Sequence, residues 1–276
     1  SGWSVSSAGD VNGDGLDDVI VGAPGSNRIP GVNGFEDLPS TWTPGHSYVI
    51  FGRTGTTTIN LSALAANQGF VINGQCGADL SGYSVDGAGD VNGDGFDDLI
   101  VGANSADPTA GTGAGRSYVV FGKAAGATVN LSNLAASQGF VINGQGASDH
   151  SGFSVSGAGD VNGDGLADLI VGAPDSDPTG GADAGRSYVV FGKTNNTAID
   201  LSAVALGCGG FVITGQCAND YSGNSVAAAG DVNGDGLADL IIGARSSDPN
   251  ASMDAGRSYV VYGKTDSTTV QLSTVA

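Results

Sequence analysis

Apolar residues in this chain come in short runs, each closed off by Gly, Asp, Asn or Pro. Three of these runs follow one another at S-G-F-S-V-S-G-A (151–158), L-A-D-L-I-V-G-A (166–173) and G-R-S-Y-V-V-F-G (185–192). A fourth, G-F-V-I-N-G-Q, stands at 69–75, 139–145 and, with Thr214, at 210–216. Runs this short, rich in β-branched and aromatic residues and bounded by turn formers, predict strands. The stretch between the third and fourth runs, such as L-S-N-L-A-A-S-Q (131–138), predicts a short helical turn. The whole cycle recurs at spacings of 80, 70 and 71 residues, measured between Asp10, Asp90, Asp160 and Asp231. Such a period predicts one supersecondary unit stacked on the next. Four-stranded antiparallel sheets in tandem read as an all-β fold, the blades of a β-propeller. The approximate units are 1–75, 76–145, 146–216 and 217–276. The last has three strands and then V-Q-L-S-T-V-A (270–276), with no G-F-V-I-N-G-Q run.

Between the first and second strands every unit carries D-V-N-G-D-G-x-x-D, at Asp10–Asp18, Asp90–Asp98, Asp160–Asp168 and Asp231–Asp239. Oxygen side chains at every second residue, followed by a Gly that permits a sharp turn, suit calcium, a hard cation that takes six to eight oxygens. The predicted ligands are Asp10, Asn12, Asp14, the carbonyl of Leu16 and Asp18; Asp90, Asn92, Asp94, Phe96 and Asp98; Asp160, Asn162, Asp164, Leu166 and Asp168; and Asp231, Asn233, Asp235, Leu237 and Asp239. About four Ca2+ ions are therefore expected. Position 8 alternates between Asp17 or Asp97 and Ala167 or Ala238, so it is predicted to point away from the ion. The loop is not an EF-hand, which needs a Glu at position 12 and flanking helices. Position 12 here is Val21, Val101, Val171 or Ile242, inside a predicted strand. The plainer reading is hairpin-turn chemistry alone, since Asn-Gly and Asp-Gly favour tight turns. A turn, however, needs one such dipeptide, not three carboxylates and an amide in fixed register.

The chain has 276 residues, with 49 Gly and a formal net charge of −19, which four dications would bring to −11. A surface so acidic does not attract nucleic acid or anionic lipid. No apolar stretch is long enough to span a membrane as a helix. The first residue is Ser and the single Met is Met253, which reads as a chain processed or cut from a longer one. Cys76 and Cys217 occupy one place in two repeats, and Cys208 and Cys217 flank one strand too far apart to bridge; all three are expected to be unpaired packing residues.

The S-G-F-S-V run, the D-x-N-x-D-G-x-x-D loop and G-A-P at Gly22–Pro24 and Gly172–Pro174 resemble the FG-GAP repeats of the integrin α-chain propeller and of bacterial extracellular proteins. Two copies depart at the last triplet, with Asn104 and Arg245 in place of Pro. The resemblance implies a seven-bladed ring, of which four blades are too few. A fragment of a larger propeller, a compact four-bladed ring with an open edge, and completion by a neighbouring chain all remain open. An open edge is itself a route to self-assembly.

Hairpin alternation puts the calcium loops on one face. The variable loops Gly25–Gly45, Ser105–Ala114, Asp175–Ala184 and Ser246–Ala255 fall on the opposite one, which the resemblance also makes the ligand side. Phe35 and Trp42, in the longest of these loops, are the candidate anchors for a protein or glycan partner. His46 and His150 stand alone, and no catalytic constellation is visible. Trp3 aligns with Tyr83 and Phe153 and is expected in the core, and the Arg of G-R-S-Y is expected to pair with an Asp or cap a carbonyl. The sequence therefore predicts a non-enzymatic, calcium-binding extracellular or cell-surface protein acting in adhesion or structural assembly. The alternative is a non-catalytic binding module of a secreted carbohydrate-active or other hydrolytic enzyme.

Overall fold

A computed structural model of the chain describes residues 1–25, 44–249 and 253–275. The first unit supplies β1 (Ser4–Gly9), β2 (Asp18–Ala23), β3 (His46–Ile50) and β4 (Gly69–Asn73). The second supplies β5 (Ser84–Gly89), β6 (Asp98–Ala103), β7 (Arg116–Val120), β8 (Val129–Asn130) and β9 (Gly139–Asn143). The third holds β10 (Ser154–Gly159), β11 (Asp168–Ala173), β12 (Arg186–Val190), β13 (Ile199–Asp200) and β14 (Gly210–Thr214). The fourth holds β15 (Ser222–Gly230), β16 (Asp239–Ala244), β17 (Arg257–Val261) and β18 (Val270–Gln271). The helical segments described in full are single turns at Leu61–Ala63, Leu131–Asn133, Leu201–Val204 and Leu272–Thr274.

Within each blade the long strands form an antiparallel meander, as the turn-bounded runs predict. The orders are β1-β2-β3-β4-β8, β5-β6-β7-β9-β13, β10-β11-β12-β14-β18 and β15-β16-β17. The inner strands lie side by side, β1 against β5, β5 against β10 and β10 against β15, whereas β1 and β15 form no such packing. The result is an arc of four propeller blades. The last blade lacks its outer strand, as its missing G-F-V-I-N-G-Q run implies.

Blades pack through side chains that alternate along the strands. Ile20, Val49, Phe70 and Ile72 of the first blade meet Val85, Leu99, Val101, Tyr118 and Val120 of the second. The same register recurs at the next two interfaces. Every blade therefore has two unlike faces, one that receives the following blade and one that inserts into the preceding blade.

The two-residue strands have no counterpart in the sequence reading. β8, β13 and β18 each leave their own blade to pair in parallel with the outer strand of the blade before, β4, β9 and β14. A side-chain rung accompanies each crossing: Asn73 to Asn130 at 2.8 Å, Asn143 to Asp200 at 2.9 Å and Thr214 to Gln271 at 2.6 Å.

Three expectations are corrected. Trp3 is 54% exposed, stacked at 5.5 Å on Tyr83, which in turn lies 5.1 Å from Phe153. The row is an aromatic ladder across blades, and no described blade covers its first rung. The three cysteines are free and exposed, and so pack nothing. Two of the G-R-S-Y arginines reach glutamines, Arg116 donating to Gln75 and Arg257 to Gln216, both in the preceding blade, whereas Arg186 caps the Asp177 carbonyl at 3.3 Å, as expected. Gln75 also takes the Tyr118 hydroxyl, Gln145 that of Tyr188 and Gln216 that of Tyr259.

Candidate metal loops

Each D-V-N-G-D-G loop joins the first strand of its blade to the second, where Asp at position 9 opens the second strand. In the first copy, Asp10 Oδ1 accepts hydrogen bonds from the amides of Gly13 and Asp14 at 2.8 and 2.9 Å, and Oδ2 accepts from Gly15 at 2.8 Å. Asn12 Oδ1 accepts from the Asp14 amide at 2.8 Å, and Asp14 Oδ1 from the Leu16 amide at 2.9 Å. The Asn12 amide nitrogen donates to Asp14 Oδ2 at 3.1 Å. Positions 1, 3 and 5 are thus folded over one short stretch of backbone. Gly15 makes this possible with φ +85°, a left-handed conformation that side chains disfavour. The same bonds recur in the other three loops.

Position 9 lies beneath the loop. Asp18, Asp98, Asp168 and Asp239 are buried. One oxygen of Asp18 takes the Val11 amide at 3.1 Å and the other the Gly52 amide at 2.7 Å. Burial is the main cause that pushes the Asp98 carboxyl up to about 7 and that of Asp168 up to about 6, with smaller contributions from Asp94 and Asp90, and from Asp164 and Asp160. Asp18 moves in the same direction for the same reason.

Among the described residues, none of these carboxylates forms a salt bridge with a basic side chain; the ion pairs present are His150–Asp175 and Lys264–Asp266. Nor, among the described residues, do three Asp, Glu, His or Cys side chains converge as a ready-made cage. An ion here would draw on Asn12 and main-chain carbonyls as well. The donor set fits a hard dication: every donor is oxygen, the charge is uncompensated, and a carboxylate that accepts amide hydrogens still has lone pairs to offer.

The loops are also stapled to one another. The amides of Asp97, Ala167 and Ala238, all at position 8, donate to the carbonyls of Asp10, Asp90 and Asp160 in the preceding loop. Lys123, Lys193 and Lys264 donate their amides to Val11, Val91 and Val161 at 2.8, 2.9 and 2.9 Å. Their ammonium groups sit over Phe70, Phe140 and Phe211 at 4.2 to 4.4 Å. Position 7 also acts through its side chain: a Cβ on Gly13, Gly93 or Gly163 would lie 2.7, 3.1 or 3.0 Å from Phe96, Leu166 or Leu237. Position 8 does point away from its own loop, as predicted, but Asp97 does not face solvent; it docks on Asp10.

On the side away from the loops, Asp107, Asp177 and Asp248 accept the amides of Gly113, Asp183 and Asp254 at 2.7 to 2.8 Å, closing the D-P turns. His150 is paired with Asp175 at 2.7 Å, and that carboxylate raises the imidazole pKa. His46 bonds Asn73 at 2.9 Å. Phe35 and Trp42 lie outside the described residues.

With the blade geometry in hand, comparison with known proteins decides the family. The FG-GAP repeat model matches residues 1–35, 81–120, 151–190 and 222–261. The chain belongs to the FG-GAP repeat family. It is 33% identical over 189 residues to bovine phosphatidylinositol-glycan-specific phospholipase D, covering 67% of this chain and 20% of that protein. It is 32% identical over 176 residues to Drosophila melanogaster integrin alpha-PS2, covering 64% and 12%. It is 32% identical over 174 residues to Caenorhabditis elegans integrin alpha ina-1, covering 60% and 14%. The chain therefore spans a fifth or less of the length of these relatives. No helix among the described residues is long and apolar enough to cross a membrane.

Proposed function

We propose that this FG-GAP chain is a non-catalytic, calcium-stabilised binding module of an extracellular or cell-surface protein, acting in adhesion or structural assembly. The observation that carries the reading is the fourfold loop, with its folded oxygen donors, its buried position 9 carboxylate and, among the described residues, no basic counter-ion. Calcium would bind at Asp10, Asn12, Asp14, Leu16 and Asp18 and at their equivalents in the other loops. Bound there, it would neutralise carboxylates that the fold gathers together, and so stabilise the native state by mass action. The protein or glycan partner is assigned to the face opposite the loops. The loops on the metal side are near-identical, whereas the D-P turns and the Gly25–Gly45 loop carry the variation on which specificity depends.

A second reading is favoured by the phospholipase D relatives, of which this chain matches about a fifth. On that reading the blades are the binding module of a secreted hydrolytic enzyme whose catalytic part lies elsewhere. Glycan and cell-surface binding arrays test the first reading, with Phe35→Ala/Trp42→Ala as the control. Binding lost in the double variant, with the melting temperature in calcium unchanged, supports it. Hydrolase activity in the purified chain itself would sink both readings.

A further inference from the structure

The chain has three lysines, Lys123, Lys193 and Lys264, and all stand at one place, after the F-G or Y-G that follows the third strand of a blade. Each folds its ammonium over an aromatic ring of the preceding blade, Phe70, Phe140 or Phe211, and donates to the carbonyl of the residue four places on. The other partners differ. Lys264 also reaches Asp266 Oδ1 at 2.8 Å and Thr268 Oγ1 at 2.9 Å. Lys193 also reaches Asn195 Oδ1 at 3.3 Å and Thr197 Oγ1 at 3.4 Å. In the second blade Ala125 and Ala127 take the places of these two acceptors. Among the described residues, Lys123 keeps one hydrogen bond from its ammonium, to the Ala127 carbonyl at 2.6 Å.

An ammonium carries three N–H donors. That of Lys264 has three oxygen acceptors, one of them a carboxylate. That of Lys123 has one oxygen and the face of a ring, so its charge is the least compensated of the three. Among the described residues no carboxylate forms an ion pair with it, and burial pushes it down to about 8. Lys193 moves in the same direction for the same reason. At pH 7.4 an amine at 8 is unprotonated in roughly one molecule in five, against about one in a thousand for an ordinary lysine. A lysine desolvated beside apolar groups is the kind that acts as a nucleophile.

Space lies beside the loop that follows it. Ala124, Ala125 and Gly126 line an open cleft of about 480 Å³ with Phe51, Gly52 and Ala66. Ala124, Ala125 and Ala127 are themselves exposed.

We propose that Lys123 is an acylation site, the lysine of this chain that activated carboxyl compounds, thioesters and active esters, modify first. The unprotonated Nζ attacks the acyl carbon. A C–N bond forms, the C–S or C–O bond to the leaving group breaks, and the departing thiolate or oxyanion takes up the proton that the nitrogen loses. The product amide keeps one N–H, which matches the single oxygen acceptor at the site. Acylation of Lys264 would instead break its ion pair with Asp266. The inference does not rest on the proposed function.

Competitive labelling of the 276-residue chain tests it. The folded chain, in calcium at about pH 7.5, receives less than one equivalent of succinimidyl acetate. Mass spectrometry of peptides cut at aspartate then reads the acetylation of each lysine. Lys123 is expected to react on the order of ten-fold faster than Lys264, with Lys193 between them. The preference is expected to vanish in denaturant. Ala125→Asp/Ala127→Thr gives Lys123 the acceptors of Lys264 and is expected to slow it to the Lys264 rate. Asp266→Ala/Thr268→Ala is the converse change and is expected to speed Lys264. All four substitutions fall on exposed positions, and melting temperatures check that the variants fold. Equal rates in the native chain, a faster Lys264, or a preference that persists in denaturant would overturn the proposal. So would a folded Ala125→Asp/Ala127→Thr variant in which Lys123 reacts as fast as before, or a Lys264 left unchanged by the converse pair.

Discussion

The Asp97 carboxylate accepts a 2.7 Å hydrogen bond from the backbone amide of Asp10, tying the eighth position of one D-V-N-G-D-G loop to the first position of the loop before it. Where position 8 is Ala167 or Ala238, the backbone staple alone does this work. Asp97→Ala should therefore cost about 1 kcal/mol, the order of one hydrogen bond. It should also loosen the Asp10–Asp18 loop without removing a ligand. Thermal unfolding together with calcium titration checks this: a lower melting temperature with the number of sites unchanged is expected.

Close approach of backbones, rather than turn geometry, explains the Gly of the G-A-x triplet. Gly102→Ala would drive a methyl to 2.2 Å from Gly152 O. Overpacking at that contact should destabilise by roughly 2 kcal/mol or more. Gly243→Ala has open space in the same register and should leave the melting temperature near wild type. Denaturant midpoints for the two variants compare them directly.

The fourth loop differs from the others in cover. Val232 is 57% exposed, whereas Val11, Val91 and Val161 are fully buried beneath the following blade. Among the described residues, the fourth loop also lacks the amide staple that a following loop gives to the carbonyls of Asp10, Asp90 and Asp160, so more of its fixing must come with the ion, which weakens affinity. Calorimetric titration of the chain is expected to resolve three tighter calcium sites and one weaker by several-fold, and Asp235→Ala should delete the weak one. Loss of a tight site in that variant would show that cover does not set affinity.

The pH dependence should change sign with the metal. In chelator the native state keeps a proton on Asp98 up to about pH 7 and on Asp168 up to about 6, while the unfolded chain releases both near 3.8. The native state then binds more protons across that window. These groups contribute stability that is full below the unfolded pKa and is lost as pH rises through 6 to 7. With calcium present the ion takes the place of the protons, affinity rises with pH and stability follows. Melting temperatures at about pH 5 and about pH 7.5, in chelator and in calcium, are expected to slope in opposite directions.

The blades and loops were legible because each repeats a short apolar run or a fixed oxygen register. The joints between blades were not. A strand of two residues such as β8 has no periodicity to read, and its partner lies in another repeat. Position 8 varies between Asp and Ala because the amide, which every residue carries, makes the constant contact. Phe96 was readable as a carbonyl donor, but its ring covers Gly13 of the preceding loop, 83 positions earlier. Arg186 caps a carbonyl as the sequence suggested, but the partners of Arg116 and Arg257 were missed since Gln75 and Gln216 carry no charge to advertise the pairing. Trp3 has the same local pattern as Tyr83 and Phe153, and only the arc shows that its outer side is bare.

The central claim, that the four loops are calcium sites, is tested most directly by counting the metal. The chain is equilibrated in calcium at concentrations well above about a millimolar, the upper range for extracellular modules, and bound ion is measured by equilibrium dialysis with elemental analysis. Four calcium ions per chain are expected, falling to three in Asp14→Ala and three in Asp164→Ala, with chelator lowering the melting temperature of the wild type. A chain that binds no calcium, and unfolds at the same temperature with and without chelator, would contradict the account.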